Sequence, residues 1–275
     1  MTSSSRIQRR AFLGRAGGVV AGGAAMGARL AVPVATAEES AGPAATRKSV
    51  AIIPPVAAVA QPVREALAAS YQIRMLDPFV RFDQSLEEWA AGRRAMGDSL
   101  RGCDAIVYAP EPAPDRDEAS LDELTRGTYD LLNVAASQKV QLVVFLSTLE
   151  LMADYPKEFE VDEGFMPTTD TSVRRMSLYL AEFACREFAR EGKLRCITLR
   201  IGQLANASAT PASAGPLSVS PGEVARAVKA AVDVGFSQPS RLANWEIFHI
   251  QSSHSQARSS TEKAILQLGW KPDQD

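Results

Sequence analysis

The sequence has few of the residues that a disulfide framework or a metal centre needs. Three cysteines occur in 275 residues, and their number is odd and their spacing never C-x-x-C. Each lies among apolar neighbours, so we expect small core residues and no disulfide framework. Two isolated histidines are too few to indicate a metal site, and none is predicted. The cysteines are Cys103, Cys185 and Cys196.

The first 37 residues have no acidic side chain, although they carry five arginines. A short apolar stretch rich in Gly and Ala leads into Ala35-Thr36-Ala37, which is typical of the cleavage site of an export signal. Residues 8–13, Q-R-R-A-F-L, resemble the twin-arginine consensus, so we expect export by that route to the periplasm or beyond. The stretch between Arg15 and Arg29 is shorter than the roughly 20 apolar residues that span a bilayer, so no membrane span is predicted after cleavage.

Positive charge is scarce once that segment is removed. The remaining 25 basic side chains face 32 acidic ones, which gives a net charge near −7. Nucleic-acid binding requires a basic surface that neutralises phosphates, so a nucleic-acid partner is excluded.

The rest of the chain predicts an α/β domain over residues 49–275, preceded by a flexible leader, 38–48. Continuously apolar runs alternate with helical segments, which is typical of parallel strands covered on both faces. Right-handed crossovers then give a doubly wound parallel sheet. The first helix carries Pro62 in its first turn, and residues 205–221 are predicted to be an irregular loop. Strands are predicted at 49–53, 73–77, 104–108, 140–147 and 194–200, and further helices at 87–100, 121–138 and 172–191.

Several strings, in order, resemble the extended short-chain dehydrogenase/reductase family of NAD-dependent epimerases and dehydratases. The resemblance implies a Rossmann-like NAD(P)-binding fold with a small C-terminal lobe on the substrate side. It also implies a homodimer through the helix at 172–191. The strings are G-C-D-A-I-V-Y-A at 102–109, R-G-T-Y-D-L-L at 126–132, F-L-S-T at 145–148, L-R-I-G at 199–202, G-E-V-A-R-A at 222–227 and L-G-W-K-P at 268–272.

The family's glycine loop is altered. The resemblance places its three glycine positions at Pro54, Ala57 and Ala60, and no glycine occurs between residues 42 and 92. Glycine there permits close approach of the backbone to a pyrophosphate, and a proline has no N–H to donate to it. We therefore expect weakened nucleotide binding.

Two further positions belong to the implied cofactor site. Asp77 closes the second predicted strand, where a carboxylate can accept bonds from ribose hydroxyls, which favours NAD over NADP. The same residue is equally well explained as the start of a turn before Pro78. Ala109, at the end of the third predicted strand, is the other position.

The family's catalytic Tyr-x-x-x-Lys is also absent. The resemblance places Arg174 at the tyrosine position and Leu178 at the lysine position, and none of the five tyrosines has a lysine four residues later. Ser147 or Thr148 retains the family's Ser/Thr position. A hydroxyl at a strand end serves either catalysis or as a cap, and the sequence leaves both open.

Three hypotheses follow. The first is a binding protein or pseudoenzyme that retains the fold without hydride chemistry. The second is an NAD-dependent oxidoreductase or epimerase with a tightly held cofactor. The third is a protein-interaction module that uses the acidic insert 154–170, whose apolar residues form either a contact loop or the anchors of a solvated loop. These residues are Phe159, Phe165 and Met166.

Overall fold

The structure is a computed structural model that describes residues 47–53, 57–76, 86–111, 117–168, 170–205, 217–255 and 257–273. The predicted export signal, 1–37, and most of the predicted leader lie outside the described residues. Across the described ranges, no helix is both long and apolar enough to cross a membrane.

One parallel sheet forms the centre of the domain. Within the described part of the chain it has six strands in the order β2-β1-β3-β4-β5-β8. A second, two-stranded ladder pairs β6 with β7. The strands are β1 Ser49–Ile53, β2 Gln72–Met75, β3 Ala105–Tyr108, β4 Leu142–Thr148, β5 Arg195–Ile201, β6 Gln203–Leu204, β7 Ser218–Val219 and β8 Trp245–Ile250.

Helices cover both faces of the sheet, as the continuously apolar strands predict. Helices α1 and α6 pack on one face, and α2, α4 and α5 pack on the other. All seven residues of β4 are buried, which is what a central strand covered on both sides requires. The helices are α1 Ala57–Ala68, α2 Leu86–Leu100, α3 Asp117–Asp122, α4 Thr128–Ser137, α5 Val173–Arg190 and α6 Pro221–Ser237.

The doubly wound parallel fold predicted from the sequence is therefore confirmed. The chain runs from β1 to β2 on one side and then returns to β3 on the other side of β1. This reversal opens a crevice beyond the carboxyl ends of β1 and β3, where ligands bind in folds of this kind.

Some sequence expectations were wrong in detail. Pro62 lies inside α1 and not in its first turn, so the Ala58 carbonyl loses its helical donor. The helix predicted over 121–138 is interrupted by a π-helical turn at Glu123–Gly127. The end of the predicted loop 205–221 instead contains β7 and the first residue of α6.

Two strings that carry the family resemblance meet at the start of α6. Ser220 caps the helix, accepting a hydrogen bond from the Glu223 N–H at 3.1 Å, and the Glu223 carboxylate accepts from the Ser220 N–H at 2.9 Å. The same carboxylate accepts from the Asp273 N–H at 2.9 Å, and the Trp270 indole donates to the Glu223 carbonyl at 3.1 Å. Glu223 therefore ties the last described residues of the chain to the domain.

Candidate functional site

A cavity of about 270 Å³ lies at the carboxyl ends of β3, β4 and β5. We call it the crevice. Helices α1 and α5 and the turn after β5 contribute to its lining. Its lining residues are Val59, Ala109, Pro110, Glu111, Leu146, Ser147, Thr148, Glu150, Arg174, Leu178, Ile201, Gly202, Gln203 and Leu204.

The two hydroxyls at the end of β4 have different environments. The Thr148 hydroxyl accepts a hydrogen bond from the Glu150 N–H at 3.1 Å and caps the short 3₁₀ turn Leu149–Met152. Ser147 is 4% exposed and lines the crevice, yet its Oγ has no hydrogen-bond partner among the described residues. Thr148 therefore takes the capping role, and the Ser147 hydroxyl is left buried without a partner in the part of the chain that the structure describes.

An ion pair occupies the rim of the crevice. Arg174, in the first turn of α5, donates from Nε to Glu150 Oε2 at 3.2 Å. The other carboxylate oxygen accepts from Gln203 Nε2, also at 3.2 Å. The position that the resemblance assigns to tyrosine thus holds a guanidinium bound to a carboxylate.

Leu178 forms an apolar wall one turn further along α5. It is 3% exposed, packs in the core between α5 and the sheet, and also lines the crevice. The position that the resemblance assigns to lysine therefore offers no cation and no hydrogen-bond donor.

Tyr108 does not replace the missing tyrosine. It ends β3, where burial raises its pKa to about 12, while a hydrogen bond with Thr128 lowers the pKa by a smaller amount. A general acid-base group works best with a pKa near the operating pH. Tyr108 therefore packs partly buried against the core and stays protonated.

A buried polar layer lies beneath the crevice. Arg200 of β5 and Glu182 of α5 form a bidentate ion pair, with Nε–Oε1 at 3.0 Å and Nη2–Oε2 at 2.7 Å. Their side chains are 2% and 3% exposed. Arg200 belongs to the L-R-I-G string that carries the resemblance, and its contact with Glu182 holds α5 against β5.

His249 lies opposite Arg200 on the neighbouring strand β8. Its ring is buried, and neither nitrogen has a hydrogen-bond partner within the described ranges. Burial, followed by the charge of Arg200, lowers its pKa to about 3. Its backbone N–H donates to Glu163 Oε1 at 2.8 Å, and burial raises the pKa of that carboxyl.

The acidic insert predicted at 154–170 is held to the domain at several points. Arg175 binds Asp154 at 2.5 Å and Asp170 at 3.1 Å, while Arg258 donates to the carbonyls of Tyr155 and Pro156. Of its three large apolar residues, Phe165 packs on Tyr155 with ring centroids 5.0 Å apart. The other two, Phe159 and Met166, are 50% and 70% exposed.

The positions that the resemblance assigns to cofactor binding are only partly described. Pro54 and Asp77 lie outside the described residues. Ala57 and Ala60 lie in the first turn of α1, and Ala109 is a buried residue of the crevice lining.

The described lining does not fit a dinucleotide held in the family's manner. It contains two carboxylates against one guanidinium, and Leu178 cannot bind a ribose hydroxyl.

Sequence reasoning missed Glu111, Glu150 and Gln203. Two signals could have found the last two. Glu150 comes two residues after the retained Ser/Thr position, and Gln203 directly follows the L-R-I-G string. Both follow the carboxyl end of a strand, which is where sites form in such sheets.

The sheet order, the switch-point crevice and the two-sided helical cover define a Rossmann-like α/β protein. A family model described as the NAD dependent epimerase/dehydratase family matches residues 66–234. The chain belongs to this family. The match begins inside α1, after the positions of the altered glycine loop. Among curated proteins, the sequence comparison finds no match.

Solved structures of this class are similar in fold. Glucuronic acid dehydrogenase from Chromohalobacter salexigens has a TM-score of 0.66 at 19% identity, covering 83% of this chain and 85% of the other. UDP-N-acetylglucosamine 4-epimerase from Bacillus cereus has a TM-score of 0.65 at 15% identity, covering 83% and 94%. UDP-glucose 4-epimerase from Brucella ovis, solved in complex with NAD, has a TM-score of 0.65 at 12% identity, covering 82% and 94%.

Proposed function

We propose that this protein is an exported member of the epimerase/dehydratase family that binds a ligand in the crevice without hydride transfer. The observation that carries the proposal is Leu178, a buried leucine in the crevice wall at the position where the resemblance expects the catalytic lysine. A lysine there lowers the pKa of the tyrosine and holds the cofactor's ribose, and leucine does neither.

The remaining polar groups do not supply an alternative acid or base. Arg174 is held by Glu150 at 3.2 Å, and a guanidinium does not give up a proton in proteins. Ser147 has no base bonded to it among the described residues. A serine without an adjacent base is a weak nucleophile, so the crevice is better suited to binding than to chemistry.

Export is the second part of the proposal. The arginine-rich N-terminus supports the twin-arginine route to the periplasm or beyond, which carries proteins already folded. Cys103, Cys185 and Cys196 are buried and free, which suits a chain whose thiols are enclosed before it reaches an oxidising compartment.

A homodimer through α4 and α5 is the third part. Tyr129 on α4 and Leu180 and Phe183 on α5 are large apolar side chains that are between 42% and 54% exposed. Exposed apolar groups on adjacent helices are typical of a protein–protein interface. Size-exclusion chromatography with light scattering tests this: we expect a dimer, and Phe183→Glu should give a monomer.

The test of the binding role is the nucleotide content of the exported protein. We expect no nucleotide in the supernatant after denaturation, by ultraviolet absorbance and mass spectrometry, and no binding of NAD or NADP at millimolar concentration. Stoichiometric NAD would contradict the proposal and favour an oxidoreductase or epimerase with a tightly held cofactor.

A further inference from the structure

Two polar groups in the crevice have unused hydrogen-bonding capacity. The Ser147 hydroxyl is buried without a partner, which costs about 1–3 kcal/mol unless a ligand or water satisfies it. Arg174 uses Nε for Glu150, and its Nη1 and Nη2 groups donate to no acceptor in the described ranges. Both residues belong to the crevice lining.

The rest of the lining is mainly apolar. Side chains from five elements and from the residue after β3 surround the space, and most of them are less than 10% exposed. A compact apolar body therefore fits between the walls, because its burial removes hydrocarbon surface from water. The apolar side chains are Val59, Ala109, Leu146, Leu178, Ile201 and Leu204.

The charges of the lining restrict the ligand head. A guanidinium with two free Nη groups matches a carboxylate or a phosphate in bidentate geometry. However, Glu111 and Glu150 also line the crevice, so its formal charge with Arg174 is −1. A doubly charged phosphate is repelled more strongly by these carboxylates than a singly charged carboxylate is.

We propose that the ligand of the crevice is a small monocarboxylate with a compact apolar body. Its carboxylate binds the free edge of Arg174 and accepts a hydrogen bond from Ser147, and its body lies against Leu178. This assignment rests on the proposed binding function, because it gives that same crevice a ligand class. The cavity volume of about 270 Å³ suits a small ligand.

The experiment is calorimetric titration of the full exported protein with hexanoate and with hexanamide, which has a similar shape and no charge. We expect hexanoate to bind about tenfold or more tightly than hexanamide, because charge-assisted bonds to arginine are stronger than neutral ones. Phenylacetate and phenylacetamide repeat the comparison with a different apolar body.

Arg174→Gln should reduce hexanoate affinity by about tenfold or more and leave hexanamide unaffected. The matched control is Arg190→Gln, since Arg190 lies on the same helix and its Nε also binds a glutamate, Glu187, at 2.7 Å. Arg190→Gln should not change the affinity for hexanoate. Ser147→Ala should weaken hexanoate by roughly two- to tenfold.

Equal affinity for acid and amide, unchanged hexanoate binding by Arg174→Gln, or no binding of either acid would overturn the ligand assignment. These outcomes are separate from the failure of the proposed function, which released or bound NAD would reveal. Arg174-dependent hexanoate binding in a protein that also holds NAD would remove the non-catalytic role and keep the carboxylate site.

Discussion

Helix α5 forms an arginine–glutamate pair at each of two depths. Near its middle, Glu182 binds Arg200 of β5, and both side chains are almost completely buried. In its first turn, Arg174 binds Glu150 at the crevice rim, where the two side chains are 48% and 23% exposed. The same kind of ion pair thus occurs once in the core and once at the crevice rim, where water has more access.

The difference in burial separates a structural pair from an adaptable one. Two charges removed from water need each other, because either one alone would be an uncompensated buried charge. A pair at the surface contributes only about 0–1 kcal/mol, since water solvates each charge almost as well. The rim pair can therefore exchange partners with a ligand, while the buried pair cannot.

The largest change in the free energy of unfolding is expected for Glu182→Gln. It leaves the Arg200 guanidinium buried without a counter-charge, so we expect a loss of about 3–5 kcal/mol in the free energy of unfolding. Urea denaturation measures it. The double variant Glu182→Leu, Arg200→Met removes both charges and should recover most of the loss. A loss below 1 kcal/mol for the single variant would show that the two pairs do not differ.

The buried region should also respond to pH through His249. Its pKa is about 3 in the folded protein and about 6.5 when unfolded, so the unfolded chain binds more protons between these values. The contribution of His249 to the free energy of unfolding is therefore complete above pH 6.5, and it falls by about 1.4 kcal/mol for each pH unit towards pH 3.

His249→Leu removes this dependence, and urea denaturation at pH 7 and pH 4.5 compares the two proteins. Arg200 and Lys263 also lower the pKa of His249, and the neighbouring Glu163 carboxyl, whose own pKa is raised by burial, changes stability with pH in the opposite direction. All three remain in the variant, so the difference between the proteins isolates the imidazole. Parallel stability profiles would contradict the prediction.

Gly202 lies between the buried pair and the crevice rim, because it follows the end of β5 and precedes Gln203. A Cβ built there would lie 1.9 Å from the Leu217 carbonyl oxygen, which is fixed backbone. We expect Gly202→Ala to cost about 1–3 kcal/mol of stability and to displace this part of the crevice lining. The control is Gly97→Ala inside α2, where the nearest atom is the end of the Gln138 side chain at 3.3 Å. That change should be neutral or stabilising, by up to about 1 kcal/mol.

The fold class could be predicted from the sequence because the strands have recognisable apolar patterns. The mainly apolar runs that became β1, β3 and β4 identify parallel strands covered on both sides, and β5 was predicted although Arg195, Thr198 and Arg200 interrupt its apolar residues. The sequence was less informative at the sheet edge. Strand β8 was not predicted, because its sequence includes the charged Glu246. The strand lies at the sheet edge and pairs along one side with β5, so its residues need not all be apolar.

The crevice could be predicted only in part. Arg174, Leu178 and Ser147 were identified from the resemblance, and all three line the same cavity. Glu150 and Gln203 were missed because their role depends on a contact between segments more than 50 residues apart. Their positions just after strand ends can be found from the sequence, but no local pattern encodes the contact between them. The choice between Ser147 and Thr148 likewise required the backbone of the turn that follows them.

The smallest expected change in stability, and the sharpest test of the comparison, is at the rim. Arg174→Gln and Glu150→Gln should each alter the free energy of unfolding by less than about 1 kcal/mol, because both side chains retain access to water. The two variants should nevertheless differ in binding. Arg174→Gln removes the group that binds the hexanoate carboxylate, so the affinity for hexanoate falls. Glu150→Gln removes a negative charge beside the guanidinium, so the affinity for hexanoate rises. Denaturation and calorimetry on the same samples measure both quantities. If Arg174→Gln destabilises the protein as much as Glu182→Gln does, the rim pair is part of the fold and not a ligand-binding group.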